Sequence, residues 1–157
     1  MDKNLKSYLE KNKIEYRIYE HPAVFTVAES KSIKIKIPGK HTKCLFLKDE
    51  NSNFYLAALP AEKRLDTKKL KRKLGVKDLR FGSMEELKEQ LNLTPGSVSI
   101  FGMIYSEKVY LIIDKELWSV ELVGFHPNIN TSTIVLNHEN LEKFYNSISA
   151  KKEIIEL

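Results

Sequence analysis

The amino-acid sequence predicts a single domain in which helices and strands are mixed. A chain of 157 residues has the length of one ordinary domain and can bury a substantial core. Hydrophobic residues make up 42% of it and charged residues 30%, so a folded chain is expected. Short strand-like runs are interspersed with segments of helical periodicity. These observations predict a mixed α and β (α+β) fold.

The N-terminal 40 residues are expected to supply two helices and one short strand. Apolar side chains at helical spacing over residues 5–9 predict the first helix, and residues 16–20 predict a strand. Thr26 with Glu29 three positions later forms a potential capping box for a second helix. Residues 33–37 alternate between isoleucine and lysine, as a strand does, but a family resemblance carried by other segments of the chain implies a helix end and a loop there, closing at Pro38 and Gly39, and this interpretation is preferred.

A predicted hairpin with a lysine at its mouth is the most informative segment. Residues 44–48 and 54–59 are strand-like runs separated by the turn-forming residues 49–53. Lys43 stands immediately before the first run. Because an ammonium group is costly to bury without an anion or carbonyl partner, Lys43 is a candidate ligand-binding residue. The alternative is a solvated lysine that protects a strand edge.

Residues 62–80 form a basic segment with a predicted helix inside it. The segment has nine basic and three acidic side chains, a local net charge of +6. Asp66 can cap the helix, Leu70 and Leu74 supply its apolar stripe, and Gly75 can end it. A basic helix face can bind phosphates through counterion release, although a solvated lysine face is the alternative. The candidate phosphate-binding residues, for a nucleic-acid partner, are Lys68, Lys69, Arg72, Lys73 and Arg80.

The C-terminal half is expected to contain two further helices and three strands. Residues 151–157 are expected to form a loosely held tail beyond a domain at 1–150. The expected elements are a helix capped by Ser83, strands over 98–104 and 109–114 that pair with each other, a strand over 134–136, and a last helix capped by Asn137.

Several function classes are excluded or disfavoured by what the sequence lacks. Cys44 is the only cysteine, so no intramolecular disulfide can form, which suits a reducing cytoplasm. No signal-peptide pattern and no apolar run near 18 residues is present, so no membrane partner is expected. No ligand-spaced cluster, P-loop or Gly-x-Ser-x-Gly elbow suggests a metal, a nucleotide or a serine triad. The net charge of +5 favours a polyanionic partner.

Four short segments, in this order, carry a family resemblance. They are His-Pro-Ala-Val-Phe-Thr-Val at 21–27, His-Thr-Lys-Cys-Leu-Phe-Leu-Lys-Asp at 41–49, Thr-Pro-Gly-Ser-Val-Ser-Ile-Phe-Gly at 94–102, and Phe-His-Pro-Asn-Ile-Asn-Thr-Ser-Thr at 125–133. Together they resemble the YbaK family, which includes the editing insertion domain of bacterial prolyl-tRNA synthetase. The chain looks like its free-standing alanyl-tRNA(Pro) deacylases, the ProXp-ala and PrdX proteins, over about residues 21–145.

The resemblance implies a YbaK-like domain whose central mixed, largely antiparallel sheet is flanked by helices. It also implies a trans-editing hydrolase that deacylates mischarged tRNA, above all alanyl-tRNA(Pro). Hydrolysis of this activated ester needs a positioned water and a stabilised oxyanion, and in this family the terminal hydroxyl of the tRNA would help to activate the water. The implied partners are mischarged tRNA(Pro) and prolyl-tRNA synthetase in the cytoplasm, with no cofactor.

Position in the family motifs assigns candidate roles to individual residues. Lys43 matches the motif lysine and would hold the terminal adenosine, its phosphate or the ester. Gly96 would let the backbone approach the substrate, and the amides that follow, at Ser97 and Val98, could stabilise the oxyanion. His126 would border the amino-acid pocket; a loop histidine with a packing role is the alternative. The implied substrate-binding residues are His21, Thr26, His41, Cys44, Ser99, Ile100, Asn130 and Thr133.

Two residues depart from the family pattern. Ile100 replaces the motif proline, which should loosen the loop and add an amide donor. Cys44 replaces the asparagine common in alanine-specific members, and in a strand it should point away from Lys43. A nucleophilic Cys44 is conceivable, but an inert thiol is favoured. These departures leave two alternatives open: a deacylase for cysteinyl-tRNA(Pro) or seryl-tRNA, and a non-catalytic module that binds tRNA ends.

Overall fold

One mixed sheet organises the part of the chain that the computed structural model describes, residues 1–23 and 36–157. Its strands are β1 (Arg17–Glu20), β2 (Lys40–Asp49), β3 (Phe54–Pro60), β4 (Leu79–Phe81), β5 (Tyr110–Asp114), β6 (Leu122–Phe125), β7 (Ser132–Asn137) and β8 (Lys152–Ile155). The helices are α1 (Lys3–Lys11), α2 (Thr67–Leu74), α3 (Met84–Leu91), α4 (Lys115–Trp118) and α5 (His138–Ser147), with a 3-10 helix at Ile100–Tyr105.

The described strands follow the order β1-β7-β6-β2-β3-β5-β8, and β4 pairs with the far end of β2. Four of the pairings are antiparallel and three are parallel. The mixed α+β class with helices around one mixed sheet is therefore confirmed. Among the described residues, no helix combines the length and apolar character needed to cross a bilayer.

The two faces of the sheet pack against different helices. Side chains alternate along β2, so Phe46 belongs to the larger core and Leu47 to the smaller one. The larger core also holds buried side chains of α1, α3, α4, α5 and the 3-10 helix. The smaller core lies under α2, whose Leu70 packs with Leu59 and Ile112. The basic helix therefore covers the face of β2 that carries Leu47.

The helix ends follow the local chemistry of the sequence. The Asp66 carboxylate accepts the Lys69 amide hydrogen at 3.1 Å, and Gly75 ends α2 with a φ of 69°. Ser83 forms the expected capping box at α3, and Asn137 caps α5. These caps and the β2–β3 hairpin confirm the corresponding predictions. Residues 24–35, which include Thr26 and much of the helix end and loop expected after it, lie outside the described residues.

The predicted strand over 98–104 is wrong, because residues Ile100–Tyr105 form a 3-10 helix. The Ser99 hydroxyl accepts the Phe101 amide hydrogen at 3.2 Å and caps this helix. Gly102 lies so close to Leu93 that a Cβ there would come within 2.6 Å of its Cδ1. The apolar run is therefore buried as a helical turn, and β5 pairs with β3 and β8 instead.

The prediction of a loosely held tail over 151–157 is also wrong. Residues 152–155 form β8, which pairs in parallel with β5 and lies at one end of the strand order. Ile155 and Leu157 are buried in the smaller core beneath α2. The apolar side chains at the end of this segment therefore contribute to the core that positions the basic helix.

Candidate functional site

One face of the sheet carries several of the motif residues, and we call it the site face. His41 and Lys43 are two positions apart on β2, so their side chains lie on the same face. His41 aligns with Gly124 of β6, which in turn aligns with Val135 of β7. Thr133 is two positions from Val135 and therefore shares this face. Two motif segments that are far apart in sequence, 41–49 and 125–133, thus meet on one surface.

His126 follows the last residue of β6, and within the described part of the chain only one of its ring nitrogens has a hydrogen-bond partner. Its Nδ1 lies 3.0 Å from the carbonyl oxygen of Ser132, which can only accept, so Nδ1 carries the hydrogen. Burial lowers the pKa of His126, and the nearby His21 and His41 lower it further against the opposing hydrogen bond to Ser132. The neutral ring therefore presents Nε2 as a hydrogen-bond acceptor.

His21 is held by hydrogen bonds on both ring nitrogens. Its Nδ1 lies 2.9 Å from the Pro22 carbonyl oxygen, and its Nε2 lies 3.0 Å from the Thr133 hydroxyl. The ring centroids of His21 and His126 are 6.1 Å apart. Both ring nitrogens of His21 are thus engaged, whereas Nε2 of His126 has no hydrogen-bond partner among the described residues.

The loop before the 3-10 helix contains a turn that requires glycine. The Ser97 amide donates to the Thr94 carbonyl at 3.1 Å, with Pro95 and Gly96 at the central positions. Gly96 has a φ of +88°, which other residues adopt only with strain. A Cβ on Gly96 would lie 3.8 Å from the side-chain nitrogen of Asn130. The turn therefore lies beside the loop that follows His126.

The backbone amides of this loop differ in their availability. The Ser97 amide is used inside the turn, and the Ile100 amide donates to the Cys44 thiol. Ser97 and Ser99 are both buried. Within residues 1–23 and 36–157, no acceptor takes the amide hydrogens of Gly96 and Val98. Of the amides that the sequence singled out, Val98 is thus better placed to donate than Ser97 or Ile100.

Lys43 differs from the other lysines of its strand, because no carboxylate of the described residues pairs with it. Lys40 forms an ion pair with Glu62 at 2.8 Å, and Lys48 forms one with Glu86 at 2.6 Å. Lys43 is half-buried opposite Leu59 of β3. It makes no ion pair or hydrogen bond with any other described residue. An ammonium group in this position is available to an anionic or carbonyl ligand.

A surface depression connects Lys43 to the basic helix, and we call it the Lys43 groove. It has a volume of about 270 Å³ and is open to solvent. Its lining residues are Lys43, Leu45, Leu47, Arg64, Leu65, Thr67, Leu79, Arg80 and Phe81. Thr67 begins α2, whose Lys68, Lys69, Arg72 and Lys73 are all exposed. Four of the candidate phosphate-binding residues therefore belong to the helix that begins at the groove, and the fifth, Arg80, lines the groove itself.

The family model of the aminoacyl-tRNA editing domain matches residues 21–144, which is more than half of the chain. The chain belongs to the aminoacyl-tRNA editing domain family. The prolyl-tRNA editing protein ProX of Acetoanaerobium sticklandii is 36% identical over 152 residues, covering 95% of this chain and 93% of that protein. The prolyl-tRNA synthetase associated domain-containing protein 1 of Danio rerio is 30% identical, covering 90% of this chain and 79% of that protein.

Solved structures share the fold of this editing domain at lower sequence identity. The crystal structure of a hypothetical protein superposes with a TM-score of 0.78 at 18% identity, covering 98% of each chain. A protein described as a candidate trans-editing enzyme for prolyl tRNA synthetase gives a TM-score of 0.74 at 18% identity, covering 100% of this chain and 99% of that one. At this identity the two structures support the fold alone.

Cys44 of the editing domain lies on the opposite face of β2 from Lys43, as the strand alternation predicts. Its side chain packs against the larger core, whereas Lys43 lines the groove. Burial raises the pKa of the Cys44 thiol to about 12, despite the Ile100 amide that donates to it. The thiol is therefore protonated at neutral pH, and a nucleophilic role is disfavoured.

The groove also includes two residues that the sequence reasoning did not assign to the site. Arg64 and Phe81 line it together with Lys43. Arg64 was counted only as part of a basic segment, and Phe81 lies in a strand of three residues that local periodicity does not reveal. The described residues contain no group of three or more His, Cys, Asp or Glu side chains that could hold a metal ion.

Proposed function

We propose that this protein is a trans-editing hydrolase that removes wrongly attached alanine from tRNA(Pro). The observation that carries the proposal is the half-buried Lys43, which shares a sheet face with His41 and Thr133 and has no ion-pair partner in the described ranges. A cation kept without a carboxylate partner among the described residues, while Lys40 and Lys48 on the same strand each have one, indicates an external anionic ligand. Membership of the editing family supports the aminoacylated end of a tRNA as that ligand.

The reaction is hydrolysis of the ester between the amino acid and the terminal ribose. A water molecule attacks the ester carbonyl carbon, a tetrahedral oxyanion forms, and the bond to the ribose oxygen breaks to release the amino acid and the tRNA hydroxyl. The amides of Gly96 and Val98 are the proposed donors to the oxyanion. Nε2 of His126 is the proposed acceptor that orients the substrate or the water, assisted by the neighbouring hydroxyl of the terminal ribose.

Lys43 is proposed to hold the terminal nucleotide rather than to transfer a proton. A lysine ammonium is a compact positive charge with three donors, which suits a phosphate or a carbonyl oxygen. From this point the remainder of the tRNA end would follow the Lys43 groove towards α2, where exposed cations can bind backbone phosphates. On this path Lys43, the groove and the basic helix would all contact the same tRNA end.

Alanine is the proposed target because an editing pocket selects by excluding larger groups. A second site that hydrolyses only what is small enough to enter removes alanine while rejecting the bulkier proline. The name of the relative at 36% identity, prolyl-tRNA editing protein ProX, supports the tRNA(Pro) part of the proposal. We also propose prolyl-tRNA synthetase as a partner, since it would produce the mischarged substrate, and this places the protein in the cytoplasm.

A deacylation panel tests the proposal. The protein is incubated with tRNA(Pro) charged in turn with alanine, cysteine, serine and proline, and the release of the labelled amino acid is followed. We expect alanyl-tRNA(Pro) to be hydrolysed fastest and prolyl-tRNA(Pro) to be spared. Faster hydrolysis of the cysteinyl or seryl ester would contradict the alanine assignment. Absence of hydrolysis on all four, with retained RNA binding, would identify a non-catalytic module.

A further inference from the structure

A phenylalanine ring projects from the fold at one end of the Lys43 groove. Phe81, the last residue of β4, is 69% exposed. It aligns with Leu47 of β2, so its ring is on the groove side of the sheet. A single exposed apolar residue is ordinary in a folded protein, so exposure alone indicates no function. The surroundings of this ring carry the argument instead.

The backbone that carries Phe81 is fixed on both sides. Arg80 aligns with Lys48 in the antiparallel pairing of β4 with β2. The amide of Gly82 donates to the Phe46 carbonyl at 3.0 Å, and a Cβ on Gly82 would lie 2.3 Å from the Phe46 ring. The capping box of Ser83 then begins α3 at once. A flat ring on such a rigid support loses little conformational entropy when it contacts a ligand.

The chemistry of the groove matches single-stranded nucleic acid. Leu45 and Leu47 contribute to an apolar floor, Lys43 and Arg64 place cations beside it, and no described residue in its lining is acidic. An aromatic platform next to a positively charged groove is the combination that binds unpaired nucleotides. The groove is also open to solvent rather than enclosed. It therefore suits a segment of a polymer.

We propose that an unpaired base of the tRNA 3′ end stacks on Phe81 while Arg64 binds an adjacent phosphate. The inference rests on the proposed function, because that function places the terminal nucleotide at Lys43. Lys43 lies four residues from Leu47, the partner of Phe81, which is about 13 Å along an extended strand. This distance is several times the ~3.4 Å that separates neighbouring stacked bases. The stacked base therefore belongs to a nucleotide before the terminal adenosine.

Stacking can be measured without any hydrolysis. The probe is an uncharged RNA hairpin with the tRNA(Pro) acceptor stem and an unpaired 3′ end, in which 2-aminopurine replaces each unpaired base in turn. Its fluorescence falls when the base stacks on an aromatic ring. We expect the wild-type protein and Phe81→Trp to quench one internal position. Phe81→Ala and Phe81→Leu should abolish this quenching and weaken hairpin binding by about fivefold or more, as expected when one base–aromatic stack is removed.

Met84→Ala provides the matched control, because Met84 is 67% exposed at the start of α3 but does not line the groove. This variant should bind and quench like the wild type. Unchanged quenching by Phe81→Ala, or an equal decrease in Met84→Ala, would overturn the inference. Deacylation of alanyl-tRNA(Pro) is measured on the same variants. If the wild type hydrolyses it and Phe81→Ala changes neither KM nor quenching, the inference fails while the proposed function stands. Quenching that depends on Phe81 in a protein that hydrolyses no ester would contradict the proposed function and leave the RNA contact intact.

Discussion

Replacing Lys43 with alanine should remove most of the deacylase activity and leave the fold intact. Lys43 makes no ion pair or hydrogen bond within the described ranges, so its removal leaves no internal carboxylate there without a partner. A charge-assisted contact from this half-buried ammonium contributes about 1.5–3 kcal/mol to binding of the transition state. At about 1.4 kcal/mol for each factor of ten, kcat/KM should fall by about 10- to 150-fold.

The assay is single-turnover hydrolysis of alanyl-tRNA(Pro) with the protein in excess, after circular dichroism has compared the folded states. Lys48→Ala is the matched control on the same strand. Its ammonium lies 2.6 Å from Glu86, whose pKa the ion pair helps to lower to about 2. The control should lower Tm while keeping kcat/KM within about threefold of the wild type, a difference of about 0.7 kcal/mol in activation free energy.

Two results would refute the reasoning about Lys43. The first is wild-type kcat/KM for Lys43→Ala on all four charged tRNAs, which would leave the lysine as a solvated strand residue. The second is an equal decrease of activity in Lys48→Ala, which would attribute the effect to general disturbance of β2. A large fall in Tm for Lys43→Ala would contradict the premise that its side chain has no internal partner among the described residues.

Three other perturbations address the basic helix, the glycine turn and the histidine. Reversing Lys69 and Arg72 to glutamate should raise KM. It should also reduce the slope of log binding constant against log salt concentration by about 0.9 for each phosphate that is no longer bound. An unchanged slope would mean that α2 is only a solvated face. Gly96→Val should lower the single-turnover rate by about 10²-fold, because a φ of +88° suits glycine, whereas Ser97→Ala should stay within about tenfold; a larger decrease for the serine would contradict the backbone mechanism. For His126, burial holds the pKa below 6.5, so the ring is neutral at pH 7, and kcat/KM should fall as the pH drops from 6.5 through the lowered pKa. The free energy of unfolding should also fall over this range, because the unfolded state binds the proton at a higher pH than the folded state does. If a His126→Gln variant shows the same loss of activity on the acid side between about pH 5 and 8, the assignment to His126 is contradicted.

The fold was predictable where local chemistry decides the structure. Asp66, Ser83 and Asn137 mark helix starts because their side chains accept backbone amide hydrogens within three residues. The run over 98–104 misled the prediction because a short apolar stretch is compatible with a strand or a buried helical turn. Packing of Gly102 against Leu93, which local periodicity cannot indicate, decides between them. The parallel strand β8 was missed because its partner β5 lies about 40 residues away in sequence.

The sequence predicted which residues belong to the candidate site better than it predicted their ion pairs and hydrogen bonds. Strand alternation correctly predicts that the side chains of Lys43 and Cys44 lie on opposite faces of β2. That no described carboxylate pairs with Lys43 emerges only from the structure, because Lys40 and Lys48 find theirs in distant segments. The sequence also cannot show that the Ser97 amide closes a turn, which moves the proposed donor to Val98. Long-range packing decides both points.

The two halves of the sheet are joined by a short ladder. β6 pairs with only Lys40 and His41 of β2, and the Thr42 hydroxyl adds one bond to the Gly124 carbonyl at 2.7 Å. The described parts of the halves are otherwise held by side chains of the larger core, where the Phe101 and Phe125 rings lie 5.9 Å apart. The spacing between the histidines on one half and Lys43 at the joint therefore depends on core volume. Substitutions that change the volume of this core are therefore expected to reduce activity before they unfold the protein. A variant that is still folded can have lost the spacing between the histidines and Lys43.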